Sequence, residues 1–593
     1  MARRPRCRHR GRAEHEPVRT VEGQRIPSGT HTVASEFGHR LAGDRICRRC
    51  ELPRIRRAHL AQDHLSATAA ARRSAHLSEY GRLPDGQERK RIPSVAAATQ
   101  GPAARARRPI RLDARHQLTE GCRMMPRFVG DKIHPRGYRP VIALALPIAG
   151  IQLAQVALTT VDLAMMGLIG VVAVAAGGLA ILLYNQVRTM CVGMVTGVGN
   201  LIAGAVGSGE KRTGGTEIDD RTRAQVRDLV RSGFLVATVV GLVAAMALTG
   251  FGLLLPWFGQ RREIVEQARP MMIVLAPGLL PMLWLNVLRQ FAIGMRRPGS
   301  LLKVTIVSIA VNAVLNAAFI YGWLGLPALG LTGIGLSTTC VQVFTLAVFY
   351  SRIRRDPHLA GLLALDCWNL DRGSARRIVR MGIPISLTYG NEAAITSVAT
   401  LLMGAFGPAM LAASNVVNQL TYIAYQLNIG LSQGSSILIS RSVGAGDRAE
   451  AGRIGRRALT VGAAAMTVLA LAYLAGPHLV LAPFLHGGDD AEVVATAATL
   501  LWFAIAHQYC KGAQNICVGM LRGLGNTTAG LRITVIGYWL IGIPAMAGAA
   551  YLLHWRGYGV WLGLCLGFGS TAVLLLKQFR AELRIEPEPA DSR

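Results

Sequence analysis

Two strings of apolar segments, each segment long enough to cross a membrane, follow one another between residues 141 and 580 and match at a fixed offset of 237 positions. Pro147 matches Pro384, Met166-Gly167 matches Met403-Gly404, and Gly170, Gly193 and Gly197 match Gly407, Gly430 and Gly434. The stretch Val206-Gly207-Ser208-Gly209-Glu210-Lys211 returns as Val443-Gly444-Ala445-Gly446-Asp447-Arg448. Two related bundles in one membrane chain point to a transporter, because such repeats usually enclose a substrate site at their interface. A duplication kept for packing alone is the competing reading.

Residues 1–125 stand apart. They hold 26 Arg and one Lys (Lys90) against 12 acids, about +15 of the formal +31. They contain no apolar run that would serve as a signal peptide and no helical or strand period. They dilute the rest of the chain, which is why 51% hydrophobic residues give a mean hydropathy of only +0.33. The segment cannot bury a core and is expected to be a disordered basic extension. Three readings compete for it. A basic arm binds nucleic acid or anionic lipid by charge. Cys47-x-x-Cys50 followed by His59 and His64 invites zinc, although the spacing between Cys50 and His59 falls short of the usual twelve or so residues. The preferred reading is that translation begins at Met124 or Met125 and that the upstream residues translate non-coding sequence. Neither a metal nor nucleic acid is therefore expected as a partner.

From Val141 onward the spans read as 141–166, 178–205, 229–256, 268–295, 301–323, 330–353, 377–405, 410–440, 456–484, 492–521, 528–554 and 557–580. Each has about the length that a helix rising 1.5 Å per residue needs to cross a roughly 30 Å hydrocarbon core. The expected fold class is an all-α integral membrane protein of twelve transmembrane helices. Six form an N-lobe over 138–355 and six a C-lobe over 375–581, related by pseudo-twofold symmetry, with a tail at 582–593. Loops after even-numbered spans carry Lys211, Arg212, Arg221, Arg223 and Arg227, then Arg352, Arg354, Arg355, Arg372, Arg376, Arg377 and Arg380, then Arg448, Arg453, Arg456 and Arg457. Loops after odd-numbered spans are short and mostly uncharged, apart from Arg261, Arg262 and Arg556, and one carries Asp489, Asp490 and Glu492. The positive-inside rule then places both termini in the cytoplasm. Cys191, Cys340, Cys510, Cys517 and Cys565 sit singly in apolar spans, where cysteine behaves as a small hydrophobe.

The stretches Leu144-Ala145-Leu146-Pro147 and Val161-Asp162-Leu163-Ala164-Met165-Met166-Gly167 resemble the first span of the multidrug and toxic compound extrusion (MATE) family. So do Leu288-Arg289, Asn312, Asn316, Tyr321-Gly322, Gly330-Leu331-Thr332-Gly333-Ile334-Gly335 and Leu521-Arg522-Gly523 in their regions. The resemblance runs through 138–580 and is closest to the NorM-like bacterial branch. It implies a monomeric twelve-helix antiporter of the bacterial inner membrane. Its two lobes form a V-shaped cavity that exports drugs, organic cations and other amphipathic toxins against inward Na⁺ or H⁺, without ATP. Accordingly no phosphate-binding G-x-x-x-x-G-K-[ST] is present, and no cofactor is expected.

Ionisable residues inside spans are costly in hydrocarbon and normally face a cavity or a partner. The candidates are Asp162, Arg188, Glu392 and Lys511, while Arg289, Lys303 and Arg522 lie near span ends, where snorkelling accounts for them. Asp162 shares a helical face with Gln155 and Thr159, and Glu392 shares one with Tyr389 and Thr396. The eighth span offers Asn415, Asn418, Gln419 and Tyr422, and the tenth places His507, Lys511, Gln514 and Asn515 on one polar face. These polar groups are the candidate substrate cavity. Asp162 and Glu392 match positions where the resemblance implies cation-coupling carboxylates; the bland reading of each is a buried acid satisfied by helix–helix hydrogen bonds. Arg188 is either a partner for Asp162 or a site residue.

Lys511 departs from the family pattern. It falls where Na⁺-coupled NorM-like relatives place an Asp, and an ammonium cannot coordinate Na⁺. This shifts the expected coupling ion from Na⁺ to H⁺. Lys511 is expected within reach of Glu392, forming a pair whose breakage lets the carboxylate take up a proton; the alternative is a lysine facing cavity water. Two other functions remain open. A lipid-linked precursor flippase would show a more cationic cavity. An intramembrane enzyme would need nucleophile–base or metal-ligand spacing that His478, His486, His507 and His554 do not offer.

Overall fold

The computed structural model describes residues 137–585, apart from 216, 260, 326, 365–370 and 482–490. The Arg-rich segment 1–125 with its Cys and His residues, the acidic Asp489 and Asp490, His486, and most of the tail at 582–593 lie outside the described residues. Among those described, every regular element is helical.

The long helices are α1 (Arg139–Ile169), α2 (Val171–Thr213), α3 (Asp220–Leu254), α4 (Arg262–Leu275), α5 (Leu279–Gly294), α6 (Gly299–Tyr321) and α7 (Leu331–Arg355). After residues 365–370 come α8 (Arg372–Gly404), α9 (Pro408–Gly444), α10 (Arg448–Ala475), α11 (Ala491–Gly523), α12 (Thr527–Leu552) and α13 (Arg556–Arg584). Nine of these are long and apolar enough to cross a membrane, and ten if α4 and α5 count as one bent span. Helices α8 and α9, at 33 and 37 residues, have the length but not the hydropathy. Both carry runs of Ser, Thr, Asn and Gln on buried faces, such as Ser432, Ser435, Ser436 and Ser440.

Several spans differ from the sequence reading: α2 and α3 start before the expected 178 and 229, and three more differ in shape or extent. The expected continuous helix 268–295 is broken between α4 and α5 with a bend of 46°. Pro277 cannot donate to the helical ladder, and Gly278 packs so closely that a Cβ would lie 2.7 Å from the Thr339 hydroxyl. The ninth span starts earlier, at Arg448, and ends at Ala475 ahead of Gly476-Pro477. Helix α12 widens into π-helical turns over Ile536–Gly542 and Gly548–Leu552, flanking Pro544. A proline inside a helix leaves a carbonyl of the preceding turn without its usual donor, and a wider turn accommodates it.

Most helix packing lies within α1–α7 or within α8–α13, but α1, α2 and α3 cross to α8 and α9, and the most extensive partner of α1 is α9 and that of α8 is α2. The crossing contacts are reciprocal under the 237-residue offset. A Cβ on Gly193 would lie 2.6 Å from Ser386 Cα, and one on Gly430 would lie 2.6 Å from Ala149 Cα. Further along, Gly207 faces the Arg441 carbonyl and Gly444 faces the Gly204 carbonyl, each too close for any side chain. The sequence repeat is thus also a geometric repeat, and glycine is what permits the two halves to meet backbone to backbone. At the other end, the α1–α2 and α8–α9 turns use the equivalent Gly170 and Gly407 at φ 141° and 103°, a region other residues avoid.

Candidate functional site

The halves are sealed toward the end that carries the basic loops. Asn200 on α2 donates to Ser436 and Ser440 on α9 at 2.7 and 2.8 Å. Arg441 on α9 pairs with Glu210 on α2, its Nε donating to Oε2 at 3.0 Å. Ser386 on α8 donates to the Met190 carbonyl at 2.6 Å. Toward the Gly170 and Gly407 turns, the described glycines make no comparable approach across the halves.

Within the N-terminal half, a cavity of about 70 Å³ lies among α1, α2, α4, α5, α6 and α7. Gln155, Thr159, Asp162, Arg188 and Arg289 are among its walls. A more open cavity of about 460 Å³ adjoins it along Thr159, Ile181 and Asn185. Asp162 is 5% exposed. Its Oδ1 accepts from Asn316 Nδ2 at 2.8 Å and its Oδ2 from the Thr338 hydroxyl at 3.4 Å. Asn316 also donates to Asn312 Oδ1 at 3.3 Å. The carboxylate is therefore held by neutral donors from α6 and α7.

Arg188 does not pair with Asp162. Its Nε donates to Asn185 Oδ1, one turn away on α2, at 3.2 Å, because an (i, i+3) partner on its own helix is nearer than one across the cavity. Arg289 corrects the reading more strongly. It does not snorkel: it is 7% exposed and borders the cavity. With the Gln155 amide turned to satisfy both its ends, Gln155 Oε1 accepts from Arg289 Nη1 and Nη2 at 3.1 and 3.0 Å, and its nitrogen donates to Gln152 at 3.2 Å.

In the C-terminal half, Glu392 on α8 is 6% exposed. Lys511 Nζ on α11 stands 3.5 Å from Glu392 Oε1, inside the reach expected from the sequence. The same ammonium lies 4.5 Å from the centre of the Tyr425 ring and 5.2 Å from that of Phe568, where a ring face attracts a cation. The remaining tenth-span candidates do not line an open cavity. His507 is wedged edge-on between Trp561 and Phe568 at 5.5 and 5.2 Å. Gln514 and Asn515 are 1% and 4% exposed, the latter donating to the Lys511 carbonyl at 3.2 Å. Their face of α11 packs within the C-terminal half, since α9 and α13 are its main neighbours. Asn415, Gln419 and Tyr422 are exposed on α9, and Asn418 is half-buried with its amide 3.5 Å from Ser414.

Tyr389 is half-buried, and its hydroxyl accepts from Arg522 Nη1 at 3.3 Å. Arg522, also expected to snorkel, is 3% exposed. It donates to the Ser436 and Ser432 hydroxyls at 3.2 and 3.4 Å. A polar chain thus runs from Tyr389, one turn from Glu392, through Arg522 and Ser436 to Asn200 in the other half. Sequence reasoning missed Arg289, Arg522 and Tyr425. The arginines sit in runs whose ends look like span ends, and only the packing shows that they point inward.

The chain matches the MatE family model over residues 147–318 and 384–547, one stretch in each repeat. The chain belongs to the MatE family. The probable multidrug resistance protein NorM of Rhizobium meliloti is 33% identical over 466 residues, 78% of this chain and 97% of that protein. The Pseudomonas aeruginosa protein of the same name is 34% identical over 444 residues, 74% and 88% of the two chains. Among solved structures, an outward-facing multidrug resistance MATE transporter of the MOP superfamily has a TM-score of 0.68 at 16% identity, covering 76% of this chain and 96% of that one. A MOP superfamily transporter from Pyrococcus furiosus gives 0.66 at 17% identity, covering 76% and 96%. The MatE fold therefore accounts for the whole helical part, and the chain is an integral membrane protein.

Proposed function

We propose that this MatE protein is a secondary antiporter that exports drugs, organic cations and other amphipathic molecules in exchange for H⁺, by alternating access of an N-lobe (138–355) and a C-lobe (375–581). The observation that carries this reading is one-sided closure. The halves are tied by Asn200–Ser436, Asn200–Ser440 and Glu210–Arg441 at the basic end, while two joined cavities beside Asp162 lie toward the other. Counting α4 with α5 as one span, and α8 and α9 as spans despite their polarity, gives twelve crossings. The positive-inside rule applied to the basic loops supports a cytoplasmic location for the sealed end and both termini, in a bacterial inner membrane. The cavities then open outward.

Two carboxylates suit proton exchange. Asp162 is bonded to neutral donors, which tolerate either protonation state with small rearrangement. Glu392 is neutralised by Lys511, so an internal cation stands where an external Na⁺ would otherwise sit. When lobe movement separates that pair, the carboxylate takes a proton in place of the ammonium. Names of the relatives as multidrug resistance proteins support the substrate class and a transporter in preference to an enzyme.

The test is dye efflux in everted vesicles with pH and Na⁺ gradients imposed separately. A pH gradient alone is expected to drive export, and Asp162→Asn to abolish that drive at wild-type expression. Export that follows Na⁺ at constant pH, or that persists in Asp162→Asn, would overturn the coupling.

A further inference from the structure

The two repeats place different charges at the same seat. Gln155 is the counterpart of Glu392 at the 237-residue offset, and the equivalence holds in local geometry. The Thr159 hydroxyl donates to the Gln155 carbonyl at 3.2 Å, as the Thr396 hydroxyl donates to the Glu392 carbonyl at 2.9 Å. In the C-terminal half this seat carries a carboxylate that neutralises Lys511. In the N-terminal half the seat is a neutral amide, yet it faces Arg289, and Arg188 borders the same cavity. Arg289 is 7% exposed and its Nε has no hydrogen-bond partner.

A guanidinium buried to this degree requires a counter-charge. The carboxylate on that wall does not supply it: Asp162 is seven residues along α1 and engaged by Asn316 and Thr338. Seven residues are two turns, which returns Asp162 to the same face about 10 Å further along the helix.

We propose that Arg289, backed by Arg188, receives a carboxylate carried by the transported molecule, so that this cavity selects zwitterionic amphiphiles over plain cations. The ligand's carboxylate takes the place that Glu392 fills in the other half, and its cationic end lies about 10 Å away beside Asp162. The planar guanidinium fork suits a carboxylate, and the unpartnered Nε provides a donor for it. Proton uptake at Asp162 then removes the attraction for the cationic end only. This inference rests on the export reading, since it names that reading's substrate.

The experiment compares rhodamine B, a zwitterion with a free carboxylate, with its ethyl ester, a cation of nearly the same shape. Binding of each to the purified full chain in lipid nanodiscs is measured by fluorescence anisotropy, and export of each is followed in everted vesicles. The acid is expected to bind at least tenfold more tightly than the ester. Arg289→Gln is expected to bring the acid-to-ester affinity ratio to about one, Arg289→Lys to keep part of the preference, and Arg188→Gln to reduce it. Equal affinities in the wild-type protein, or an unchanged ratio in both Arg289→Gln and Arg188→Gln, would overturn the inference. If wild-type protein exports the dyes but shows equal affinities, only the carboxylate site fails; if it exports neither, the export reading fails as well.

Discussion

Removing Glu392 alone leaves the Lys511 ammonium inside the bundle with no carboxylate, and removing both together does not. At 3.5 Å, two unit charges attract by about 5 kcal/mol at an effective dielectric constant near 20. Breaking one side of a buried pair costs about 3–5 kcal/mol, because the survivor stays desolvated. The side chains of Lys511 and Glu392 are 17% and 8% exposed, so this regime applies. Part of the cost is offset by the Tyr425 and Phe568 rings at 4.5 and 5.2 Å, worth about 0.5–2 kcal/mol to a cation. Glu392→Gln should therefore destabilise by about 2–4 kcal/mol. Glu392→Gln with Lys511→Met should recover much of that loss, since the double variant buries an amide and an apolar side chain of similar volume. The assay is reversible unfolding in mixed micelles for the four members of the cycle, with coupling between the two positions of at least about 1.5 kcal/mol expected. Stabilities that add within about 0.5 kcal/mol would refute the claim that the two side chains neutralise each other.

Two further outcomes follow from the seal and from a helix cap outside the spans. Gly430→Leu puts a side chain where even a Cβ meets Ala149 backbone, so the basic end should no longer close; spin labels at Thr213 and Ala449 should report a longer distance, and export should be lost, whereas an unchanged distance would refute the steric argument. Asp371 caps α8 by accepting from the Gly373 and Ser374 backbone at 2.9 and 2.9 Å. The Ser374 side chain first, and then these backbone groups, hold its carboxyl below the usual 3.8. Because the folded value is the lower one, the cap contributes fully above pH 3.8 and its contribution is lost as pH falls below that. Asp371→Ala should cost about 1 kcal/mol at neutral pH and progressively less in acid, read by the same micellar unfolding.

The sequence by itself determined the duplicated helical bundle, and with it the carboxylates Asp162 and Glu392. Apolar length and a repeat offset are local, additive properties, and an acid inside an apolar run is conspicuous wherever the run packs. The proximity of Lys511 to Glu392 was also legible, because the cost of an isolated ammonium leaves few places for it to go. Helix direction was not legible. Arg289 and Arg522 sit in stretches that read equally well as span ends, and only the break at Pro277 and the packing of α11 against α9 and α13 decide that both point inward. His507, Gln514 and Asn515 share a polar face in sequence, but polarity alone does not say whether a face meets a cavity or the interior of its own half. The asymmetry between Gln155 and Glu392 lay in the repeat from the start; it acquired meaning only when the fold brought an arginine to one and a lysine to the other. Periodicity records which side of a helix is polar, whereas the partner on that side belongs to a distant part of the chain and is set by packing alone.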